Sequence, residues 1–396
     1  MILAERHIIK YSHVHFQELD NICFLSKNLY NASLYAVRQH FSETNKFLNF
    51  FTNAKEFQNN NQPDYRALPT KVAQQTMKMV EQNFKSFFAL ASKKRKGNYD
   101  SKVKIPKYLD KKGRYTTIYT NQAVSKKWLG KGYINLSGSN VFIPTNAKHI
   151  AQVRVVPKAN HIVVEVLYEV IEKPLKVPSG RYCSIDLGLN NIATIGSNVI
   201  KPIIVNGKPL KSINQFYNKE KAKVQTKLET TEKRKTSARL KRLTFKRNNK
   251  INDYLHKTSR LIVNHLVSNN IDTLVIGQNK EWKQDINIGK RNNQNFVGIP
   301  HSKFTQMLEY KCKLVGINVI TTEESYTSKC SFMDNEPIRK HEVYKGKRIK
   351  RGIFKTHSGK LINADLNGAL NILKKVVGEF QYPIAVCSTP VVLTIK

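Results

Sequence analysis

Apolar positions along this chain recur at two spacings, and the alternation between them divides it. Met1 to Tyr11 is an extended apolar segment and reads as a strand. Ile22, Leu25 and Leu29 then fall at helical spacing, and Val72, Met77, Val80, Phe84, Phe87 and Phe88 approximate a second helical face. Between these faces Gln58 to Pro69 is rich in Asn, Gln and Pro, which predicts a loop. A basic tip, Lys93-Lys94-Arg95-Lys96-Gly97, ends the helical block. From Lys104 to Glu172 the texture turns to β: Val153, Val155 and Val156 lead to a turn at Pro157 to Asn160, and Ile162 to Val170 runs as an apolar strand.

Pro174, Pro178 and Gly180 mark a boundary, after which Tyr182 to Asp186 forms an apolar strand and Gly188 turns the chain into a second one. A helical stretch follows from about Asn214 to Asn269. Its first half, Lys219 to Arg247, is dense in Lys and Arg, and its second half carries Ile251, Leu255, Ile262 and Leu266 as a core-facing stripe. This predicts a hairpin with a basic half and a packed half. Asp272 to Asn279 reads as a buried strand, about Ser302 to Val315 as a helix ended by Gly316, and Ile317 opens a strand running towards Thr327 and Ser328. Ala369, Ile372, Leu373 and Val376 mark a last helix, and Gln381 to Lys396 shows only an extended tail.

Charge changes this picture from a fold to a partner. The 396 residues carry 67 Lys and Arg against 28 Asp and Glu, a net charge of +39. A compact fold with that excess repels itself, and a polyanion relieves the repulsion by counterion release. Aromatics interleave with the bases between Tyr99 and Tyr133, and rings on a cationic surface suit unpaired nucleotides. The residues expected to contact nucleic acid here are Lys93, Lys94, Arg95, Lys104, Lys107, Tyr108, Arg114, Tyr115, Tyr119 and Trp128; half of the rings could instead be core. No apolar run is long enough to span a membrane and no signal peptide opens the chain, so a cytosolic (prokaryotic) location is expected. The five cysteines are scattered without a C-x-x-C pair, and the eleven histidines show no ligand spacing.

In so acid-poor a chain, a carboxylate on a core-like strand needs a reason. Asp186 sits in Tyr182-Cys183-Ser184-Ile185-Asp186-Leu187-Gly188, and burying it charged and unpaired would cost several kcal/mol, roughly. A metal shared with a second carboxylate would offset that cost; capping the turn is the plainer role. Asp365 supplies a second acid, in Asn363-Ala364-Asp365-Leu366-Asn367-Gly368-Ala369-Leu370-Asn371-Ile372, at a helix N-terminus where the dipole tolerates negative charge. Two carboxylates from distant segments and a polynucleotide partner suggest two-metal phosphodiester hydrolysis.

The D-x-G-x-x-x-x-A strand from Asp186, the A-D-x-N-x-A-x-N-I segment from Ala364 and the intervening helices resemble the RuvC nuclease domain of the TnpB family. These are transposon-encoded RNA-guided nucleases related to type V CRISPR effectors. The resemblance covers nearly the whole chain and is densest from about Gly180 to Lys375. It implies an α+β multidomain fold: a wedge-like β-barrel at 1–15 and 101–178 with a helical recognition lobe inserted at 16–100. An RNase H-like (RuvC) α/β domain at 179–375, with a basic insert at 330–358, and a C-terminal tail at 376–396 complete it. It also implies a guide RNA and target DNA as partners and two Mg²⁺ ions, with Mn²⁺ able to replace them. Further nucleic-acid contacts are expected from Lys233, Arg234, Lys235, Trp282, Lys283, Lys347 and Arg348.

The chain departs from the family at two places. A catalytic Glu usually closes the fourth strand, and Gly277 stands at the matching position. Glu324 and Glu323, at the end of the fifth strand, are the nearest substitutes, because neighbouring strands lie ~4.8 Å apart and a Glu side chain bridges that gap. Successive residues point to opposite faces, so one of the pair should reach the metals. Alignment on Thr327-Ser328 favours Glu324, with Glu323 as the alternative and Glu281 a weaker third. The catalytic and metal-binding set is then Asp186, Glu324 and Asp365. The family's zinc ribbon is also reduced to Cys330, with His341 and His357 nearby, and no zinc is expected. Two functions follow: an RNA-guided DNA endonuclease that cuts beside a short flanking motif, or a guided DNA-binding protein disabled at Gly277.

Overall fold

A computed structural model describes residues 1–231, 233–279, 289, 293–294, 297–380 and 390–395. The chain divides into two units, Met1–Val170 and Ile171–Lys396.

In the first unit, β1 (Ile2–Lys10) is followed by four helices, α1 (Phe16–Thr44), α2 (Phe50–Asn59), α3 (Pro63–Arg66) and α4 (Thr70–Arg95). The chain then returns as β2 (Thr117–Thr120), α5 (Lys126–Gly130), β3 (Tyr133–Asn135), β4 (Phe142–Pro144), β5 (Ile150–Pro157) and β6 (His161–Glu169). The hydrogen-bonded strands form an antiparallel sheet in the order β1-β6-β5-β2 and a separate β3-β4 ribbon. Where the resemblance implies a barrel, this sheet is open, with β1 and β2 at its edges. One side packs on α1 and α4 through Leu19, Leu29, Val72 and Met77, so the helical faces read from sequence do meet a core. The Gln58–Pro69 loop contains the short α3, which Gln62 caps by accepting from the Tyr65 N–H at 2.7 Å.

In the second unit, β7 (Tyr182–Asp186), β8 (Asn191–Ser197) and β9 (Ile203–Asn206) lead into the long hairpin of α6 (Lys208–Thr231) and α7 (Ala238–Ser268). Then come β10 (Thr273–Gly277), α8 (His301–Leu314) and β11 (Asn318–Thr322). A small antiparallel sheet of β12 (Lys347–Lys350), β13 (Ile353–Lys355) and β14 (Leu361–Asn363) precedes α9 (Ala364–Val377). The main sheet runs β11-β10-β7-β8-β9-β15, with β15 being Val391–Leu393. The expected tail at 376–396 is thus corrected: α9 continues to Val377, and Val391–Leu393 pairs parallel with β9. A short β-branched segment completes an open sheet edge.

Side-chain alternation sets the two faces of this sheet. Cys183, Ile185, Leu274 and Ile276 pack towards α7 and α8. Val275 packs on Ile372 and Leu373 of α9, and its register partner Ser184 donates to the Ala369 carbonyl at 2.6 Å. Two residues further along each strand, Asp186 and Gly277 therefore face α9 as well.

Candidate active site

Asp186 ends β7 directly over α9. A Cβ built on Gly368 would lie 2.8 Å from its Oδ2, so glycine lets the carboxylate rest against the helix backbone. Asp186 accepts no hydrogen bond among the described residues. Burial pushes its carboxyl well above the usual range, the charges of Glu324 and Asp365 add to the rise, and Arg348 pulls it partly back.

Glu324 follows β11, which lies beside β10 in parallel register with Gly277 opposite Thr322. Its N–H donates to Asn279 Oδ1 at 2.9 Å. Its side chain lies across Gly277: a Cβ at position 277 would be 2.7 Å from Glu324 Oε1 and 2.8 Å from its Cγ. Oε1 is buried and has no hydrogen-bond partner. Burial, then the neighbouring Glu323, lifts the Glu324 carboxyl to about 7. Glu323 is turned outwards, 59% exposed, and pairs with Lys375 at 3.1 Å.

Asp365 lies in the first turn of α9, where Asn363 caps the helix by accepting from the N–H groups of Asp365 and Leu366. Both carboxylate oxygens are held. Asn191 Nδ2 donates to Oδ2 at 2.7 Å, and the Arg348 guanidinium donates to Oδ1 at 2.9 Å. Among the described residues no three His, Cys, Asp or Glu side chains are disposed to hold a metal ion as they stand. The donor set nevertheless fits a hard divalent cation: three carboxylates, one with a buried unpartnered oxygen, share one end of the sheet.

The segment carrying Glu324 is tied to α9 by two asparagines whose role the sequence did not disclose. Asn371 donates to the carbonyls of Thr327 and Cys330 at 2.8 and 2.7 Å; Asn367 donates to Cys330 O at 2.9 Å and accepts from the Phe332 N–H. Both are fully buried, one helical turn apart. Their spacing in the A-D-x-N-x-A-x-N run was the available signal. Asn191 was also missed. Arg348, expected at the nucleic acid, instead reaches a carboxylate of the site.

Hydrogen bonds to buried side chains hold the remaining insert. Glu336, 1% exposed, accepts from the N–H groups of Ser331 and Lys345 at 2.7 and 2.9 Å. Cys330 Sγ donates to the Pro337 and Arg339 carbonyls.

The expected nucleic-acid contacts are placed unevenly. Lys93, Lys94, Arg95, Lys104, Lys107, Lys233, Arg234, Lys235 and Lys347 are exposed, and Tyr108 is 45% exposed beneath Arg38. Tyr119 is corrected to a core residue: it is fully buried, because alternation in β2 turns it onto the helices. Tyr115 packs on Tyr30 with ring centres 4.6 Å apart, and burial pushes its hydroxyl to about 12. Trp128 is half-buried against Phe142, and Arg114 is engaged by Asp20 at 2.7 Å. Glu281, Trp282 and Lys283 lie outside the described residues. Among those described, no helix is long and apolar enough to cross a membrane.

Comparison with known proteins now bears on this geometry. Residues 162–283 match the family described as probable transposase (OrfB of IS605), and residues 301–372 match the Cas12f1-like TNB domain. Asp186 lies in the first match, Glu324 and Asp365 in the second. The TnpB-like protein ORF457 of Acidianus two-tailed virus is 29% identical over 216 residues, 51% of this chain and 43% of that protein. This chain is similar to TnpB proteins. The TnpB-like protein MJ0751 of Methanocaldococcus jannaschii is 30% identical over 137 residues, 33% of this chain and 47% of that protein. The chain thus spans under half the length of these TnpB relatives. Among solved structures, the Cas12f1–sgRNA–target DNA complex covers 93% of this chain and 98% of its own, at 14% identity and TM-score 0.38. The mini-RNA-guided endonuclease CRISPR-Cas_phi3 covers 97% and 94%, at 11% identity and TM-score 0.46. The likeness to TnpB proteins rests on the sequence matches.

Proposed function

We propose that this TnpB-like protein is an RNA-guided DNA endonuclease whose third acid is Glu324, displaced from the fourth strand to the fifth. The observation that carries the proposal is the occupation by Glu324 of the space above Gly277, on the face of the sheet that also bears Asp186. A side chain at 277 and the side chain of Glu324 exclude each other sterically, so one acid serves that place. In this reading Gly277 does not disable the site; it makes room.

Bound Mg²⁺ or Mn²⁺ would supply the Lewis acidity that activates water and stabilises the departing 3′ oxygen. Asp186, Glu324 and Asp365 would hold it. Burial holds the carboxyls of Asp186 and Glu324 towards their protonated forms, and the charge of Glu324 adds to this at Asp186. Asn191 orients Asp365 from the second strand, while Asn367 and Asn371 fix the loop that carries Glu324. The exposed bases of α6, α7 and β12 would bind the polynucleotide backbone. In the first unit, the helices between β1 and β2 would serve as the recognition lobe and the sheet as the wedge that grips guide RNA and reads the motif beside the target.

The test is cleavage of a DNA library with randomised flanks by protein purified with its co-expressed native RNA. Wild-type protein should cut beside one enriched motif in Mg²⁺. Asp186→Asn and Glu324→Gln should bind that motif without cutting. Binding without a cut by the wild type would make this a guided DNA-binding protein instead.

A further inference from the structure

The basic hairpin contains a feature that a solvated charge run does not explain. Between α6 and α7 lies a cleft of about 320 Å³, near the lower bound for small-ligand sites. Phe216 stands at its edge, 63% exposed, an aromatic ring that stacks on no other ring among the described residues. Tyr217 and Leu243 form an apolar wall, and Lys246 and Lys250 stand along the α7 side, one turn apart and both exposed. Neither lysine has a carboxylate partner among the described residues, and none of the residues lining the cleft is acidic.

The base of the cleft is rigid. Arg247 is fixed by four hydrogen bonds, two to Asn214 Oδ1 at 2.8 and 2.7 Å, one to the Gly298 carbonyl at 2.6 Å and one to Asn248 Oδ1 at 2.9 Å. Its guanidinium lies 5.6 Å from the centre of the Tyr217 ring, and the Tyr217 hydroxyl bonds Thr244 at 3.1 Å across the hairpin. Asn214, which anchors the arginine, is buried. An exposed ring, a preorganised apolar wall and two unneutralised ammonium groups within one cleft are complementary to a base with a phosphate attached. They suit neither an apolar peptide, which would leave both lysines without a counter-charge, nor a duplex, whose bases are already stacked.

We propose that the cleft between α6 and α7 takes a single unpaired nucleotide of a bound strand. Its base stacks on Phe216, and its phosphate is held by Lys246 and Lys250. The proposal rests on the reading of this chain as a nucleic-acid enzyme and adds a binding site remote in sequence from the three carboxylates. Guide RNA and displaced target DNA share this chemistry, and the test separates them.

The full-length protein would be titrated with fluorescent 12-mers of oligouridylate and oligothymidylate, and photo-crosslinked to 4-thiouridine and 4-thiothymidine versions. Phe216→Ala should weaken binding roughly 5- to 150-fold, the worth of one stacked base, and Phe216→Trp should restore it. The crosslink should map to residues 212–217 or 243–250. Lys246→Ala/Lys250→Ala should lower the slope of log K against log salt by about 0.7, the one phosphate that the two lysines share on a single strand. A preference for the uridylate assigns the site to guide RNA, and for the thymidylate to a DNA strand. Equal binding by wild type, Phe216→Ala and the double lysine variant would overturn the cleft while leaving the nuclease reading intact. Failure of the wild type to bind any single strand would overturn both. Phe216 is exposed, so loss of fold does not confound its substitution.

Discussion

Glu324 and Gly277 occupy one place between them. A Cβ at 277 would stand 2.7 Å from Glu324 Oε1 and 2.5 Å from Ile372 Cδ1, closer than real atoms approach. The glycine on β10 and the glutamate after β11 are therefore one steric unit built from two strands. The pair predicts a reciprocal result. Gly277→Ala should displace Glu324, destabilise the protein by about 1–3 kcal/mol and abolish cleavage. Gly277→Glu combined with Glu324→Gly moves the acid back to the fourth strand and should restore cutting that either single substitution removes. Cleavage rates of these four variants check this.

Glu323 and Glu324 are adjacent but unequal. Glu324→Ala should lower guided cleavage on the order of 100-fold or more, since a metal site worth several kcal/mol loses a ligand. Glu323→Ala breaks an exposed pair with Lys375 and an exposed hydrogen bond from the Ser325 hydroxyl, and should change stability by about 0–1 kcal/mol with cleavage retained. Parallel rate and melting measurements distinguish them.

Ionisation at the site opposes folding when no metal is bound. Glu324 is raised to about 7 and Asp186 is raised well above its ordinary value, so the folded state holds protons that the unfolded chain has lost. Stability must then fall as pH rises from the unfolded carboxyl values, 4.5 for Glu324, through the folded ones. In EDTA, melting temperature should decline from pH 5 to pH 8. Glu324→Gln or added Mg²⁺ should flatten that decline.

Asp272 is an acid of the opposite kind. Burial alone would raise its pKa, but hydrogen bonds from Thr273, Ser179 and Arg181 outweigh it and hold the carboxyl below its ordinary value. Asp272→Asn should cost about 1–3 kcal/mol at neutral pH while leaving the site's chemistry in place. Its contribution is present above the unfolded value of 3.8 and lost as pH falls through the folded one, so the variant and wild type should converge in acid.

Much of this was legible in the chain because periodicity reports faces. The β7 and β10 patterns, the core stripe of α7 and the helix from Ala364 all carry strong period signals, and the two motif aspartates stand on them. Side-chain partners are not periodic, and there the sequence was mute. The A-D-x-N-x-A-x-N run puts Asn367 and Asn371 on one helix face but does not say that they hold the loop after Glu324, nor does any residue say that Arg348 reaches Asp365 from β12. Tyr119 looked like a surface ring because it lies between the basic stretches that end at Arg114 and begin at Lys126, yet alternation within β2 buries it. Val391–Leu393 gave no sign of its partner because an edge strand depends on what it pairs with, here β9.

The insert should be held by carboxylates. Glu336→Ala leaves two backbone N–H groups without acceptors, Ser331 and Lys345, and should cost about 2–3 kcal/mol, read as loss of protease resistance around residues 330–358. Chelation of zinc should leave that resistance unchanged.

The central claim is that Glu324 completes a working nuclease site in a chain whose fourth strand ends in glycine. Its most direct test is guided cleavage, in Mg²⁺ and with the native RNA, by wild type and by Glu324→Gln matched for target binding. Cutting by the first and binding without cutting by the second is the result expected. Equal cutting by both, or none by either, would contradict it.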